Sequence, residues 1–200
     1  MSLKKIKKVG NAHMSGKIFF SSDFHFNHDR DFIYQSRGYS TVREMNESIV
    51  EVCNQYIDED DDFYILGDCI MGHDLLDGLS YMRRLHGRKH IVRGNHDTDR
   101  RVDEFYRLYN TEVLGEAKTI RYKGLSLFLC HYPTAFSPAG PYYRANRLCL
   151  CGHTHTTDPW SDIQLGSFHV EWDAWHRPVE AEEIITMMKD FNERVKGNNP

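Results

Sequence analysis

The segment SSDFHFNHDRDF, residues 21–32, sets Asp23, His25, His28, Asp29 and Asp31 directly behind the apolar run GKIFF. Charged groups are costly to bury without partners, so a strand that ends in this set asks for a cation. The pattern recurs along the chain. Gly67-Asp68 follows FYIL, Gly94-Asn95-His96-Asp97 follows HIVR, His131 follows LSLFLC, and Gly152-His153-Thr154-His155 follows RLCLC. Together these segments offer carboxylate, imidazole and amide ligands but no thiolate. That mix suits borderline divalent ions such as Mn, Fe or Zn rather than a Cys-rich structural zinc site. The glycines let backbone and ligand approach a metal closely. One such segment alone is an ordinary loop; the ordered set is what carries the signal.

The elements that must position these residues alternate. KIFFSS (17–22), FYIL (63–66) and HIVR (90–93) read as buried strands. Between them, residues 41–57 place Met45, Ile49, Val52, Cys53 and Tyr56 on one helical face, with Thr41 and Glu44 as a capping box. Residues 74–86 and 99–109 read as further helices. AKTIRY (117–122) and LSLFLCH (125–131) form a hairpin about Lys123-Gly124. RLCLCGHTH is a strand running into a turn, SFHVEW (167–172) a late edge strand, and 180–195 a last amphipathic helix. The first half predicts βαβ units with a largely parallel sheet covered on both sides, and the later hairpin a second sheet. Ligands in such folds bind outside the carboxyl ends of strands, where every ligand-rich segment lies. Asp29 and Asp31 read as turn or helix-start residues, and Trp172 and Trp175 as packing in the second sheet.

The chain has 200 residues, 40% hydrophobic and 27% charged, which fits one globular domain over 16–197 behind an extension at 1–15. A net charge of −4 does not favour a general nucleic-acid binder, although a nucleic-acid end remains a possible substrate. No apolar run approaches the roughly 20 residues needed to span a bilayer, and KKIKK is followed by GNAHMSG rather than an apolar signal region. Cys53, Cys69, Cys130, Cys149 and Cys151 form no disulfide framework. They read as buried free thiols in a reducing, cytoplasmic compartment.

In the order D-x-H, G-D, G-N-H-D, H, G-H-x-H, the chain resembles the calcineurin-like metallophosphoesterase superfamily from about residue 17 to 180. FHVEWDAWHRPVEAEEI is similar to its small stand-alone bacterial and phage members. The resemblance implies an α/β fold: a two-layered β-sandwich flanked by helices, in four layers α/β/β/α. It implies Asp23, His25 and His155 on one divalent metal, Asn95, His131 and His153 on a second, and Asp68 bridging both. Two such ions about 3.5–4 Å apart can share a hydroxide that attacks phosphorus in line. His96 then stabilises the transition state or protonates the leaving group, and His28 and Arg93 are substrate-binding candidates. The second motif reads GDCIMGHD, with Met71 where the protein-phosphatase branch has an Asp that orients the catalytic His. This argues against that branch and leaves Asp97 or Asp74 to orient His96. Relatives also often carry Asn where this chain has His169. The implied function is a metal-dependent phosphodiesterase on a small or nucleotide-like phosphate ester. A phosphomonoesterase and a non-catalytic metal-binding interaction scaffold are the alternatives. Oligomeric state is not legible.

Overall fold

The computed structural model describes residues 16–134, 147–163 and 166–197; the extension at 1–15 and the sequence Tyr142-Tyr143-Arg144, whose aromatics could wall the substrate side, lie outside them. The first sheet contains β1 (Ile18–Ser21), β2 (Asp62–Ile65), β3 (Arg88–Val92), β4 (Thr111–Gly115) and β9 (Val179–Glu180), in the order β4-β3-β2-β1-β9. Its β1–β4 pairings are parallel and β9 runs antiparallel to β1. The second sheet has the order β5-β6-β7-β8, formed by β5 (Ala117–Tyr122), β6 (Leu125–Cys130), β7 (Arg147–Cys151) and β8 (Ser167–His169). The predicted hairpin is the antiparallel β5–β6 pair, and β6, β7 and β8 are parallel.

Strand alternation builds two cores. Phe19, Phe63 and Ile65 point into one, against α2 (Val42–Tyr56) and α3 (Leu75–Arg84), whose Met45, Ile49, Cys53, Leu79 and Met82 are buried there. Phe20, Leu66 and Val92 point into the other, between the sheets, against Leu127, Leu129, Leu148, Leu150 and Phe168. With both faces covered towards their C-terminal ends, β1–β3 finish in consecutive apolar residues rather than alternating ones. The last helix, α6 (Ala181–Gly197), adds Ala181 and Ile184 to the inter-sheet core.

Thr41 caps α2 by accepting from Glu44 N, while the Glu44 carboxylate accepts from Ser40 N. Asp31 opens a short helix, α1 (Asp31–Tyr34). The helix expected over 99–109 is shorter, α4 (Asp99–Phe105). SFHVEW leaves the sheet after His169, and Trp172 starts a helical turn, α5 (Trp172–Trp175). Trp172 therefore packs not in the second sheet but in the α2/α3 core, 5.8 Å edge-on to Phe24, whereas Trp175 lies 5.9 Å from Phe168 in the inter-sheet core. The five cysteines are free, with Cys130 only half-buried. No helix among the described residues is long and apolar enough to cross a membrane.

Candidate metal centre

The parallel strands β1, β2, β3, β6 and β7 deliver their following loops to one rim. The loop after β1 is laced to the loop after β2: Asp23 N donates to Gly67 O at 3.1 Å and His25 N to Asp68 O at 3.0 Å. The turns are tight. Asp23, His25, Asp68, His153 and His155 all have left-handed backbones, with φ between 52° and 77°. Non-glycine residues hold this conformation only where the surroundings enforce it, and such residues cluster at functional sites. Two glycines are fixed by contact. A Cβ at Gly94 would meet Asp68 Oδ1 at 2.2 Å, and one at Gly152 would meet Asp23 Oδ2 and Ser22 Oγ at 2.1 Å.

The side chains converge as two overlapping groups. Ligand atoms of Asp23, His25 and His155 lie within 4.8 Å of one another, as do those of Asp23, Asp68 and His131. His25 Nε2 is 3.1 Å from His155 Nε2. Asp68 Oδ2 lies between the groups, 3.7 Å from His25 Nε2 and 3.5 Å from His131 Nε2. Asn95 Oδ1 is 2.9 Å from His131 Nε2 and 2.8 Å from His153 Nδ1.

These atoms fit a cation. Asp23 is fully buried and its Oδ1 has no hydrogen-bond partner. His155 Nδ1–H donates to Asp173 Oδ2 at 2.7 Å, and His131 Nδ1–H donates to the Leu66 carbonyl at 2.8 Å. Each ring thus turns Nε2 to the centre, as metal-ligating histidines do. Burial alone would raise the Asp23 carboxyl, but His25, whose Nε2 is 3.8 Å from its Oδ1, and the charge of His131 outweigh it and hold it at about 2. Burial likewise disfavours a charged His131, yet Asp68 and Asp23 raise it to about 9. The buried carboxylates impose a field that positive charge must answer.

Further residues, not singled out in the sequence, support the centre. Arg37 donates through Nε and Nη2 to the Asp173 carboxylate at 2.8 and 2.7 Å, and through Nη2 and Nη1 to the carbonyls of Asp23 and Phe24 at 2.8 and 3.0 Å. One buried guanidinium thus ties the β1 loop to the group that orients His155. Behind the β7 loop, fully buried Glu171 accepts from Thr156 N and the Thr154 hydroxyl. His169 lies between Glu171 and Asp162, at 3.5 and 2.9 Å.

His96 stands at the rim, half-exposed, with Nε2 4.0 Å from Asp68 Oδ2 and its backbone N–H donating to Asp68 Oδ1 at 2.8 Å. Neither acid proposed to orient it meets its ring in a hydrogen bond. Asp97 is buried and accepts from the backbone of Asp68, Cys69 and Gly94; burial and the Asp68 charge raise it to about 6. Asp74 caps α3. Instead Arg101 donates to the His96 carbonyl and, at 2.9 and 3.2 Å, to those of Met71 and Gly72. A backbone clamp thus occupies the neighbourhood where another branch uses a carboxylate. His28 packs 5.3 Å from the His25 ring; burial and nearby His25 and His96 lower it to about 4, so it is a neutral imidazole at neutral pH. Arg93 donates to Asp97 O at 2.8 Å and pairs with Asp99 at 2.7 Å.

Comparison with known proteins agrees with this architecture. The chain is 31% identical over 118 residues to the uncharacterised protein MJ1445 of Methanocaldococcus jannaschii, an alignment spanning 58% of this chain and 59% of that relative's length. It is 26% identical to the Gene 66 protein of Mycobacterium phage D29, over 88% of this chain and 98% of the relative. The solved structure of the protein of unknown function AQ665 from Aquifex aeolicus shares the fold, with a TM-score of 0.66, 23% identity, and coverage of 86% of this chain and 99% of that one. The profile of the Calcineurin-like phosphoesterase superfamily domain matches residues 17–167, and the chain belongs to that superfamily.

Proposed function

We propose that the protein is a metal-dependent phosphodiesterase whose substrate is a small or nucleotide-like phosphate ester. Asp23, His25 and His155 hold one divalent ion, Asn95, His131 and His153 a second, and Asp68 both. The observation that carries this reading is the unpartnered Asp23 Oδ1, buried where His25 and His155 each direct an Nε2. Bound there, divalent ions such as Mn, Fe or Zn supply Lewis acidity and a water acidic enough to attack phosphorus at neutral pH. His96, poised at the rim, gives a proton to the leaving oxygen. His28, neutral and beside His25, can hydrogen-bond a phosphoryl oxygen or leaving group.

The guanidiniums packed around the centre favour a diester. Arg37 is committed to Asp173, Arg93 to Asp99 and Arg101 to backbone carbonyls. A monoester's second negative charge would fall to the metals or to Arg93 and Arg30 at the exposed rim, because Arg37 and Arg101 are held by their own contacts; a diester makes no such demand. A phosphate contact by Arg93 would replace its Asp99 pair. The net charge of −4 weighs against long nucleic acid.

The test strips the protein with chelator, restores Mn²⁺, and compares bis-p-nitrophenyl phosphate with p-nitrophenyl phosphate. The expected result is Mn²⁺-restored turnover of the diester. Turnover of the monoester alone would identify a phosphatase, and tight metal binding without turnover of either would favour an interaction scaffold.

A further inference from the structure

Beside the centre lies a cleft of about 640 Å³ whose lining includes Asn27, His28, Arg30, Met71, His73 and Asp74. That volume falls in the range of small-molecule sites. The cleft meets the centre at His28, whose ring packs against His25. Its Met71–Gly72 floor is joined to His96, because Arg101 binds all three carbonyls. The His96 ring also lies 5.6 Å from that of His25, the neighbour of His28, so the residue assigned to protonate the leaving oxygen stands one ring away from the cleft. Phe32 lies outside the lining but touches it: it is 70% exposed, and its ring stands edge-on to that of His28, a lining residue, at 5.8 Å. Exposing a Phe costs hydrophobic free energy, and an uncovered ring beside a polar cleft is a platform for a planar group. The carboxylates of Asp74 and Asp77 line the same cleft and offer acceptors to hydroxyls.

We propose that this cleft is the leaving-group subsite and that the leaving group is a nucleoside, its base stacked on Phe32 and its sugar hydroxyls facing Asp74 and Asp77. The inference rests on the phosphoesterase reading. In the reaction it implies, a water oxygen bonds to phosphorus and the ester P–O bond breaks. Its electron pair goes to the nucleoside oxygen, which takes a proton from His96. A nucleotide remains on the metal side.

The test uses the Mn²⁺-loaded full chain, the dinucleoside monophosphate ApA, and adenosine as a binding probe. Phe32→Ala should raise KM for ApA about tenfold, the scale of one base–aromatic stack. Leu76→Ala, equally exposed but aliphatic and on α3, should not. Adenosine, but not ribose, should bind the wild type in an NMR titration, and Phe32→Ala should weaken that binding by a similar factor. Hydrolysis of bis-p-nitrophenyl phosphate without hydrolysis of ApA would overturn the nucleoside subsite alone, as would a KM for ApA that ignores Phe32. Hydrolysis of neither would sink the parent reading as well.

Discussion

Asp173 and Arg37 act on the candidate centre through other groups, and this makes their roles separable from catalysis. Asp173 fixes the ring and tautomer of His155, and Arg37 fixes Asp173 together with the Asp23 and Phe24 carbonyls. Removing such a partner typically weakens metal binding by about 10- to 100-fold. Asp173→Asn should therefore lower divalent-ion affinity by roughly that factor in a metal titration, with the secondary structure kept. Unchanged affinity would remove Asp173 from the orienting role. His96→Ala should do the opposite, keeping full metal content while slowing hydrolysis of a diester with a poor leaving group by about 10²–10⁴-fold. A nitrophenyl ester, whose leaving oxygen needs less protonation, should suffer less. Loss of metal with retained activity would contradict the assignment. Neither Arg37 nor Asp173 could be picked out from the sequence: they lie 136 positions apart, and only the chain's return to the β1 loop through α5 brings them together. Asp23, His25, Asp68, Asn95 and the later histidines were legible because each sits where an apolar run stops and a polar turn begins.

The same distinction holds for elements. β1, β2, β3, β6 and β7 could be read because each runs through consecutive apolar residues just before a polar turn. The edge strands β4 and β9 could not. β4 is only partly buried along its length and β9 has two residues, so neither leaves a periodic trace. The β7 loop shows what a readable glycine does. Gly152→Ala would drive a Cβ into Asp23 Oδ2 and Ser22 Oγ, and should destabilise the protein by about 2–3 kcal/mol in chemical denaturation. Gly124→Ala, with left-handed φ but open space around it, should cost only about 1 kcal/mol. Equal costs would mean that close approach is not what fixes Gly152. Behind the same loop, burial would lower the pKa of His169, but Glu171 and Asp162 outweigh it and raise it above 6.5. A raised folded-state value stabilises fully below 6.5 and is lost as pH rises through the folded value. The stability gap between the metal-free wild type and His169→Asn should therefore narrow as pH climbs from 6 towards 9. A gap independent of pH would show that His169 packs without titrating.

At the scale of the whole molecule, the centre is a junction between the sheets. Asp23, His25, Asp68 and Asn95 come from loops of the first sheet, and His131, His153 and His155 from the second. Hydrophobic packing holds the sheets face to face through Phe20, Leu66, Leu127 and Leu150. It does nothing for the rim, where Asp23 and Asp68 are buried and five of the proposed ligand residues hold left-handed backbones. The rim is thus the part of the fold most in debt to a cation. The unfolded chain cannot assemble ligands from residues 23 to 155, so metal should bind the native state almost alone. At a free ion concentration 100 times Kd, one such site stabilises by about 2.7 kcal/mol. For a domain of this size that corresponds to roughly 5–10 °C in Tm. Chelation should lower Tm by at least that much, and Mn²⁺ should restore it. Asp68→Asn, which touches both ligand groups, should abolish most of the response, whereas His96→Ala should retain it. A Tm indifferent to chelator in a protein that demonstrably lost its metal would show that packing alone fixes the rim, and would shift the cause of the strained turns from ligand binding to the loops themselves.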